Sequence, residues 1–587
     1  MADSGKAFDL KLFKRLLGHT NNYRGTFIYV AFAAILMSVL GVLRPLILQK
    51  TIDESIVPKD MENLVFYISL MIGVLMLEVI FMLTFIFFTN WLGQSVIRDI
   101  RVKLFKLMLS FKLKYYDTSA VGRLTTRAVN DIETISSIFS QGLFMIISDL
   151  LKMVVILGVM LYKSWQLTLI VMSILPIILY ATRIFQRAMK VAFEEVRAQI
   201  ANLNSFVQER ITGMKIVQIF TREKTEYKEF KEINEKHKKA WIKTVWYNSI
   251  FFPIAEMASS VAIGLVVWYG GLNAAEGGVI TLGVIVAFIE LSQMLFRPLR
   301  LIADKFNTLQ MGMVAARRVF DVLDTKSHID DSGTLLLEDT KGSIEFKNVR
   351  FSYIEEEEVI KDISFKVAPG ETIAIVGATG AGKSTIINLL SRFYEINGGE
   401  ILIDNKSIKA YTLKSLRSHI AVVLQDVFLF ADSVLNNITL NDITISEEEV
   451  INAAKKIGVH KFISSLPDGY HYNVKERGAM LSSGQRQLLA FLRAYVSNPS
   501  ILILDEATSS VDSYSEEMIQ TATEKITKGR TSIIIAHRLA TIKKADKIIV
   551  MEAGKIVEIG THKVLIKKEN GYYKNLYEVQ FLKKEAS

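Results

Sequence analysis

The feature that most constrains this chain is a series of long apolar runs confined to its first half. A helix that crosses the hydrocarbon core of a bilayer needs about 20 mainly apolar residues. Runs that meet this need occur at residues 26–48, 64–92, 139–161, 165–182, 247–272 and 278–296. They predict a membrane domain with six helical spans. The whole chain of 587 residues is too long for one hydrophobic core, so at least one further domain is expected.

Positive charges between the runs predict the orientation of this domain. Residues 98–127 hold eight Lys or Arg and residues 183–243 hold fourteen, whereas the opposite connections offer Lys50, Lys59 and Lys163. Positively charged loops stay on the cytoplasmic side, so both long loops and both termini are expected there. The net charge of +10 is therefore mostly a topology signal, and no nucleic-acid partner is expected.

The two long loops also have a helical pattern. Their apolar residues recur at three- and four-residue spacing, which predicts that the membrane helices continue beyond the bilayer. Helix-breaking patches at residues 115–124 and 210–223 predict short transverse helices where the chain reverses. Residues 8–17 separate apolar from basic side chains, which is typical of a helix at the membrane interface or of one docked on the domain.

The second half of the chain has a different pattern, and it begins after a polar stretch that we interpret as a linker. Short β-like runs then alternate with helical patterns, as in an α/β domain. The predicted parts are a transmembrane domain, a linker and an α/β domain, at residues 1–324, 325–342 and 343–587. The chain has no cysteine, which excludes disulfides and thiolate sites.

A glycine-rich loop lies between a buried strand and an apolar helix in the sequence TIAIVGATGAGKSTIINLL. Glycines let backbone N–H groups close around phosphates, and the helix N-terminus favours their negative charge. Lys383 would reach the β- and γ-phosphates, and the Ser384 hydroxyl would bind Mg²⁺. The predicted ATP-binding loop, in preference to a plain glycine-rich turn, consists of Gly377, Ala378, Thr379, Gly380, Ala381, Gly382, Lys383, Ser384 and Thr385.

A second buried strand, in ILILDEATSSVD, ends in the carboxylates of Asp505 and Glu506. Asp505 suits a Mg²⁺ site opposite Ser384, and Glu506 suits a base that polarises the attacking water. Alone the pair would be an ordinary acidic strand end, but beside a phosphate loop it indicates hydrolysis. His537 follows another buried strand, where the ligand edge of such a sheet is expected.

In combination and in order, these motifs resemble those of ABC exporters of the fused type. The resemblance runs from residue 8 to the C-terminal helix. It implies an all-α six-helix transmembrane domain followed by an α/β P-loop nucleotide-binding domain with a helical subdomain. It also implies ATP and Mg²⁺ as cofactors, and ATP hydrolysis coupled to transmembrane transport.

The resemblance also assigns roles to single residues. Tyr353 matches the aromatic that stacks on adenine, with a buried core tyrosine as the alternative. Gln425 matches the glutamine that senses Mg²⁺ and the membrane domain. Glu506 and His537 match the catalytic glutamate and the switch histidine. The further matches are Asp512 in the D-loop, Glu476 in the loop that contacts the membrane domain, and coupling helices at residues 115–124 and 217–223.

The sequence LSSGQRQLLA, residues 481–490, resembles the family's signature motif. There Ser482, Gly484 and Gln485 would complete the ATP site of the opposite subunit, so a second half-transporter is required, identical or different. Ser483 stands where the family has glycine, and we expect this small residue to be tolerated. The same variant weakly resembles the catalytically intact half of heterodimeric exporters.

The substrate is predicted only as a class. Charged residues inside predicted spans each cost roughly 2.5–3.5 kcal/mol at the centre of an isolated helix, so they are expected to face a cavity or a partner unless they lie near an interface. Acidic residues would favour a cationic amphiphile, and basic residues an anionic lipid head. The acidic and basic residues concerned are Glu78, Asp149, Glu256, Glu290, Arg44 and Lys152, together with Arg297 directly after the last span.

These expectations converge on an ATP-driven exporter or lipid flippase that works by alternating access. Its location would be a cell membrane, specifically a bacterial inner membrane, with both termini cytoplasmic and membrane lipids as neighbours. The alternative is a nucleotide-gated or regulatory membrane protein with vestigial ATPase activity, against which Glu506 and His537 argue. A soluble ATPase of DNA metabolism does not fit the apolar runs. An importer does not fit the fusion of both domains in one chain.

Overall fold

The computed structural model describes residues 9–338, 340–505, 513–536 and 538–579. The chain forms two compact units. The first contains the chain up to Leu109 together with Ser119–Lys326. The second contains Ser110–Thr118 and the chain from Ser327 onward, so a short piece of the first long loop belongs to the second unit. The predicted division into a domain at 1–324, a linker and a domain at 343–587 stays a prediction.

The first unit is helical. Its helices are α1 (Leu10–Gly18), α2 (Arg24–Thr51), α3 (Met61–Met108), α5 (Val121–Thr126), α6 (Ile132–Ser137), α7 (Phe144–Lys163), α8 (Trp165–Thr212), α9 (Met214–Ile219), α10 (Glu223–Ala275) and α11 (Leu282–Leu323), whereas α4 (Leu113–Thr118) lies in the second unit. A 3₁₀ turn joins α1 to α2, and π-helical turns follow α2 and flank α6, at His19–Tyr23, Ile52–Ile56, Arg127–Asp131 and Ile138–Leu143.

Five helical stretches among the described residues are long and apolar enough to cross a membrane: Leu10–Ile56, Met61–Met108, Val121–Lys163, Trp165–Thr212 and Glu223–Ala275. The sixth predicted span, residues 278–296, lies mostly on α11, which is not one of the five, so its crossing stays a prediction. At 1.5 Å per residue the 48 residues of α8 reach about 72 Å, more than twice the roughly 30 Å of a hydrocarbon core.

The first helix is docked on its own unit. Arg15 forms a paired hydrogen bond with Asp324 at 2.6 and 2.7 Å, and its guanidinium lies 4.2 Å from the centre of the Phe320 ring. Leu16 is fully buried. Of the two interpretations of residues 8–17, these contacts support the docked helix.

The second unit contains two sheets. Its strands are β1 (Ile344–Ser352), β2 (Glu358–Val367), β3 (Thr372–Gly377), β4 (Gly398–Ile403), β5 (Lys406–Ser407), β6 (Ile420–Val423), β7 (Ile501–Asp505), β8 (Thr531–Ile535), β9 (Lys547–Glu552) and β10 (Lys555–Gly560). An antiparallel sheet has the order β2-β1-β4-β5, and a second sheet has the order β10-β9-β3-β8-β7-β6. Its strands are parallel except for β10, so the carboxyl ends of β3, β6, β7 and β8 share one edge.

The central strand β3 is apolar on both faces because each face covers a core. Ala374 and Val376 belong to a core with the helical part of the unit, and Ile373 and Ile375 belong to one with the antiparallel sheet. Such continuous apolar runs are typical of parallel strands. The helices are α12 (Lys383–Leu390), α13 (Leu413–Ser418), α14 (Val434–Thr439), α15 (Glu447–Ile457), α16 (His460–Ser464), α17 (Ser483–Val496), α18 (Ser513–Thr527), α19 (Leu539–Lys544), α20 (His562–Leu565) and α21 (Tyr572–Tyr577). The predicted combination of a helical membrane domain and an α/β domain is confirmed.

Candidate nucleotide site

The loop after β3 has a backbone that requires glycine. Gly377 has a φ of 155°, and a Cβ atom there would lie 2.2 Å from the carbonyl oxygen of Met551 on the neighbouring strand β9. Gly382, which caps the N-terminus of α12, has a φ of 94° in the left-handed region. The loop therefore bends tightly and points the start of α12 at the carboxyl edge of the sheet, where helix N–H groups favour an anion.

Lys383 is the charged group of this loop. Its Nζ donates to the carbonyl oxygens of Gly377 and Ala378, both at 2.9 Å, and the residue is only 8% exposed. Burial lowers the pKa of its amine, while the charge of Asp505 acts in the opposite direction. Two carbonyl dipoles do not balance the charge of a buried ammonium, so the loop favours a negatively charged ligand.

Ser384 and Asp505 meet at this edge from different elements. The Ser384 hydroxyl at the start of α12 donates to Asp505 Oδ2 at the end of β7, at 3.4 Å. Asp505 is 8% exposed. A hydroxyl and a single carboxylate are ligands that Mg²⁺ accepts when phosphate and water oxygens complete its shell. The oxygen donors present here therefore fit Mg²⁺ held together with a nucleotide.

Tyr353 lies beside α12 and is partly buried. Its hydroxyl donates to Thr385 Oγ1 at 3.3 Å and accepts from Asn388 Nδ2 at 3.1 Å. Its ring packs edge-on against Phe351 and Tyr394, with centroids 4.8 and 5.0 Å away. These contacts hold the ring next to the phosphate loop, and its role in adenine stacking stays a prediction.

Two further predicted residues lie in loops. Gln425 is exposed and follows the end of β6 by two residues, at the same edge of the sheet as Asp505. Glu476 begins a 3₁₀ turn, Glu476–Gly478. Lys475 just before the turn and Arg477 within it have positive φ values of 58° and 53°. Non-glycine residues adopt this region at an energetic cost, so tertiary contacts must hold the turn.

The signature-like sequence forms the N-terminus of α17. Ser482 accepts a hydrogen bond from the Gln485 N–H at 3.2 Å, and Gln485 Oε1 accepts from the Ser482 N–H at 2.9 Å, which forms a capping box. Gly484 is buried, whereas Ser482 and Ser483 are exposed. The apolar face of the helix contains Leu488, Leu489 and Leu492, all essentially buried. The helix is thus anchored in the core and presents a polar start to its surroundings.

Three predicted residues, Glu506, Asp512 and His537, lie outside the described residues. Asp505, which precedes Glu506, is the last residue of β7, and Ala536, which precedes His537, directly follows the end of β8. In contrast, sequence patterns did not point to Asn388 on α12, or to Arg392 and Tyr394, which follow the end of that helix. No motif marks them, since their partners are a tyrosine hydroxyl, backbone carbonyls and a distant carboxylate.

Charged residues also come together within the first unit, which contains the membrane-length helices and is called the membrane unit below. An ideal Cβ on Gly41 of α2 would lie 3.1 Å from Lys152 Nζ and 3.5 Å from Glu78 Oε1, so α2, α7 and α3 meet at these side chains. Asp149 forms an ion pair with Lys305. Glu78 and Glu290 each have one buried carboxylate oxygen for which the described residues supply no hydrogen-bond partner.

Comparison with known proteins identifies the family. The family model of the ABC transporter transmembrane region matches residues 27–299, and that of the ABC transporter domain matches residues 360–509. The uncharacterised ABC transporter ATP-binding protein YknV of Bacillus subtilis is 35% identical over 98% of this chain and 96% of its own length. The chain belongs to the ABC transporter family.

Other relatives of this ABC transporter have more specific names. The "ATP-dependent lipid A-core flippase 1" of Colwellia psychrerythraea is 34% identical over 99% of this chain and 98% of that protein. The "Probable multidrug resistance ABC transporter ATP-binding/permease protein YheH" of Bacillus subtilis is 35% identical over 89% of this chain and 77% of its own length.

Family membership fixes the general properties of this ABC transporter. It is an integral multi-pass membrane protein that binds ATP, and its family implies an ATP-hydrolysing transporter. A chain with one membrane region and one nucleotide-binding region is a half-transporter, which implies dimerisation with another half-transporter.

Proposed function

We propose that this ABC transporter is an exporter or lipid flippase that uses ATP hydrolysis to move an amphiphilic or lipid-like substrate by alternating access. The observation that carries the proposal is the meeting of Lys383, Ser384 and Asp505 at the ligand edge of the sheet, in a chain with membrane-length helices. The relatives named as a lipid A-core flippase and a multidrug resistance transporter support this class of substrate. They do not favour the alternative, a gated protein with vestigial ATPase activity.

In the proposed site, the loop from Gly377 to Thr385 encloses the phosphates of ATP and Tyr353 stacks on the adenine. Lys383 is drawn from its two carbonyl partners toward the β- and γ-phosphates. Ser384, Asp505 and Gln425 would hold Mg²⁺, which when bound neutralises charge on the phosphate oxygens. The Glu506 carboxylate accepts a proton from the attacking water, and His537 contacts the γ-phosphate.

The second half of each ATP site is proposed to come from the partner. Ser482, Gly484 and Gln485, together with Asp512, would approach the γ-phosphate bound by the other subunit. The exposed, capped start of the 14-residue helix α17 supports this role, because helix N-termini favour anions. ATP then stabilises the closed pair of nucleotide-binding domains, and hydrolysis releases it. The partner is either a second copy or a different half-transporter.

The membrane charges support a substrate with both polar and apolar parts. The grouping of Glu78 with Lys152, and the buried carboxylate oxygens of Glu78 and Glu290, are costly in an apolar environment unless they serve a ligand or a partner. A cationic amphiphile would pair with the carboxylates, and an anionic lipid head with Arg44, Lys152 and Arg297. We further propose a bacterial inner membrane as the location, with both termini cytoplasmic.

The test combines hydrolysis and transport. Glu506→Gln should lower the ATPase rate of the purified protein by about 10²–10⁴-fold, the usual contribution of a general base, while ATP still binds. Inverted membrane vesicles should accumulate a fluorescent lipophilic cation or a fluorescent phosphatidylethanolamine when ATP is added. Equal ATPase rates in the variant and the wild type would contradict the role of Glu506. Uptake of neither probe by the wild type would contradict the export proposal.

A further inference from the structure

Two opposite charges approach the same small space beside Gly41 of α2. The glycine is buried, and a Cβ atom there would lie 3.1 Å from Lys152 Nζ on α7 and 3.5 Å from Glu78 Oε1 on α3. No ion pair joins the two charged groups, and the described residues give the buried Glu78 Oε2 atom no hydrogen-bond partner. Opposite charges that are adjacent but unpaired leave room for a group that contacts both.

These charges lie deep in the membrane unit. Gly41 stands ten residues before Thr51, the last residue of α2. At 1.5 Å per residue this is about 15 Å, half of a hydrocarbon core of roughly 30 Å. Charged side chains are most costly at this depth, and they are retained there mainly where they pair with one another or serve a transported ligand. The depth argues against side chains that merely reach the aqueous interface.

More charges surround Lys152, and they are of both signs. Its ammonium is subject to the charges of two carboxylates and two guanidinium groups: Glu78, Asp149, Arg44 and Arg297. Asp149 is already neutralised by its ion pair with Lys305 on α11. Within the part of the chain that the structure describes, neither arginine nor Lys152 forms an ion pair. Unpaired basic groups therefore stand beside the carboxylate of Glu78.

A second carboxylate, that of Glu290, lies at a similar depth. A Cβ atom on Gly283 would lie 2.4 Å from the Gln49 carbonyl oxygen, so the start of α11 adjoins the end of α2. The two helices run antiparallel, because α1, which precedes α2, is docked on the end of α11. Glu290 follows Gly283 by about 10 Å along α11, and Arg44 and Gly41 precede Gln49 by about 7 and 12 Å along α2. The Glu290 Oε2 atom is also buried without a partner among the described residues.

A ligand with a single sign of charge cannot satisfy these groups. A cationic head would pair with Glu78, but it would be repelled by Lys152 and the two arginines. An anionic head would pair with the basic groups and be repelled by Glu78. A headgroup that contains a phosphate next to an ammonium can give each protein group a charge-assisted hydrogen bond. The mixed charges therefore favour a zwitterionic ligand over either alternative.

We propose that Glu78 and Lys152 form a binding site for a zwitterionic amphiphile. Lys152 and Arg44 bind the phosphate of its headgroup, and Glu78 binds the neighbouring ammonium. Gly41 provides the space between them, since a side chain there would press against the lysine. This inference rests on the proposed function and deepens it, because it narrows the substrate from any amphiphile to one with a phosphate and an ammonium in the same headgroup.

The test compares three headgroups in proteoliposomes. The probes are a zwitterionic phosphatidylethanolamine and an anionic phosphatidylglycerol, both labelled on an acyl chain, and a fluorescent lipophilic cation. With ATP, the wild type should translocate the phosphatidylethanolamine fastest. Glu78→Gln should slow that probe about tenfold or more, the effect of losing a charged hydrogen bond, but not the phosphatidylglycerol. Lys152→Gln should slow it as much, but not the lipophilic cation. A merely structural role would slow all three probes together.

A further variant keeps every charge. Gly41→Ala favours the helix, since alanine has the higher helix propensity, and its methyl group should slow the phosphatidylethanolamine by pressing on Lys152. Glu78→Asp and Lys152→Arg should restore part of the rate. Glu62→Gln, at an exposed position at the start of α3, is the matched control and should keep all three rates.

Two results with active protein would overturn the inference. The first is a wild type that moves the phosphatidylglycerol or the cation faster than the phosphatidylethanolamine. The second is an unchanged preference among the probes in Glu78→Gln, Lys152→Gln and Gly41→Ala, whether the rates stay the same or fall together.

A wild type that translocates none of the probes would instead contradict the proposed function. The site is then judged by binding, because a ligand that binds only the folded state raises the midpoint of thermal unfolding. Dihexanoyl phosphatidylethanolamine should raise this midpoint in the purified wild type and not in Glu78→Gln or Lys152→Gln, whereas ATP with Mg²⁺ should raise it in all three. An equal rise with the lipid in the variants, or none in the wild type, would overturn the inference.

Discussion

Lys383 sets the chemistry of the nucleotide site through its surroundings. Its ammonium is buried between two backbone carbonyls, and burial lowers its pKa because the charged form has lost water. A bound phosphate would supply the charge that the carbonyls lack. The surroundings of this residue therefore favour a bound anion.

Lys383→Met tests this role. Loss of a charge-assisted hydrogen bond removes roughly 1.5–3 kcal/mol, so the affinity for ATP should fall by about one to two orders of magnitude. Titration of the purified protein with a fluorescent ATP analogue measures the loss. Lys406→Met, an exposed lysine of the same unit, is the matched control and should bind as the wild type. An unchanged affinity in Lys383→Met would mean that the phosphates bind elsewhere.

At the residue scale, the sequence predicts those site residues that belong to a recognisable motif. Ser384 and Asp505 could be paired in advance because the phosphate loop and the acidic strand end have recognisable patterns, and they lie 3.4 Å apart. Arg392 could not be found in this way. Apart from the nearby carboxylate of Glu395, its partners include the carbonyl oxygens of residues 330 and 408, and every residue has a carbonyl, so no residue type identifies these partners.

The C-terminal elements illustrate how a single contact can hold a helix. The Tyr573 hydroxyl at the start of α21 donates to His562 Nδ1 at 2.7 Å. Burial raises the pKa of Tyr573 to about 12, so it stays a donor, and burial together with Lys543 lowers the pKa of His562 below its ordinary 6.5. Burial would raise the pKa of Glu558, but backbone N–H groups of α21 and Lys568 lower it on balance.

Acidification should therefore loosen α20 and α21. Since the folded state favours neutral His562, its contribution is complete above pH 6.5 and is lost as the pH falls through the lowered pKa. Amide exchange in residues 555–577, corrected for intrinsic rates, should be a few-fold faster at pH 5.5 than at pH 7.5. Glu558 stays ionised at both values. His562→Gln should abolish the difference, and an equal difference in that variant would assign the effect to another group.

At the element scale, the spacing of apolar residues predicts where the helices lie but does not show which elements they pack against. The apolar runs located five membrane-length helices because the 20-residue requirement is physical. The same runs could not show that Ser110–Thr118 packs with the nucleotide-binding unit, since an amphipathic pattern reports that a face is buried without reporting against what. Helix-breaking residues did place short helices near both loop reversals, at α4, α5 and α9.

The whole molecule is expected to work only as a pair, and complementary variants test this. If the signature sequence acts on the partner's nucleotide, Lys383→Met and Ser482→Arg each inactivate both sites of a homodimer, by loss of a phosphate contact and by a bulky charge at the capped helix start. A mixed dimer would contain one intact site. Coexpression of differently tagged variants, with tandem purification, should therefore recover about half of the wild-type ATPase rate, one site of two.

The ATPase rate of the mixed dimer distinguishes ATP sites shared between two chains from ATP sites contained within one chain. Recovery in the mixed dimer requires Lys383 and Ser482 to come from different chains. A mixed dimer as inactive as either parent would place both residues in the same site, within one chain. Purification of the tagged chain with an unrelated half-transporter would show that the natural pair is a heterodimer.

Backbone hydrogen bonds join the segment Ser110–Thr118 to Ser327 and Ile329, since the Lys112 N–H donates to the Ser327 carbonyl and the Ile329 N–H donates to the Ser110 carbonyl. These contacts have a consequence for biosynthesis. The segment leaves the ribosome about 200 residues before its partner strand, which at typical rates of 5–20 residues per second is roughly 10–40 s. When this segment has been made, three of the five membrane-length stretches have still to be synthesised. The second unit therefore cannot be completed by its own continuous sequence. Insertion of the helices into the membrane must keep Ser110–Thr118 close to the chain from Ser327 onward until that later part is made. A defect in membrane insertion would therefore also prevent the second unit from folding completely.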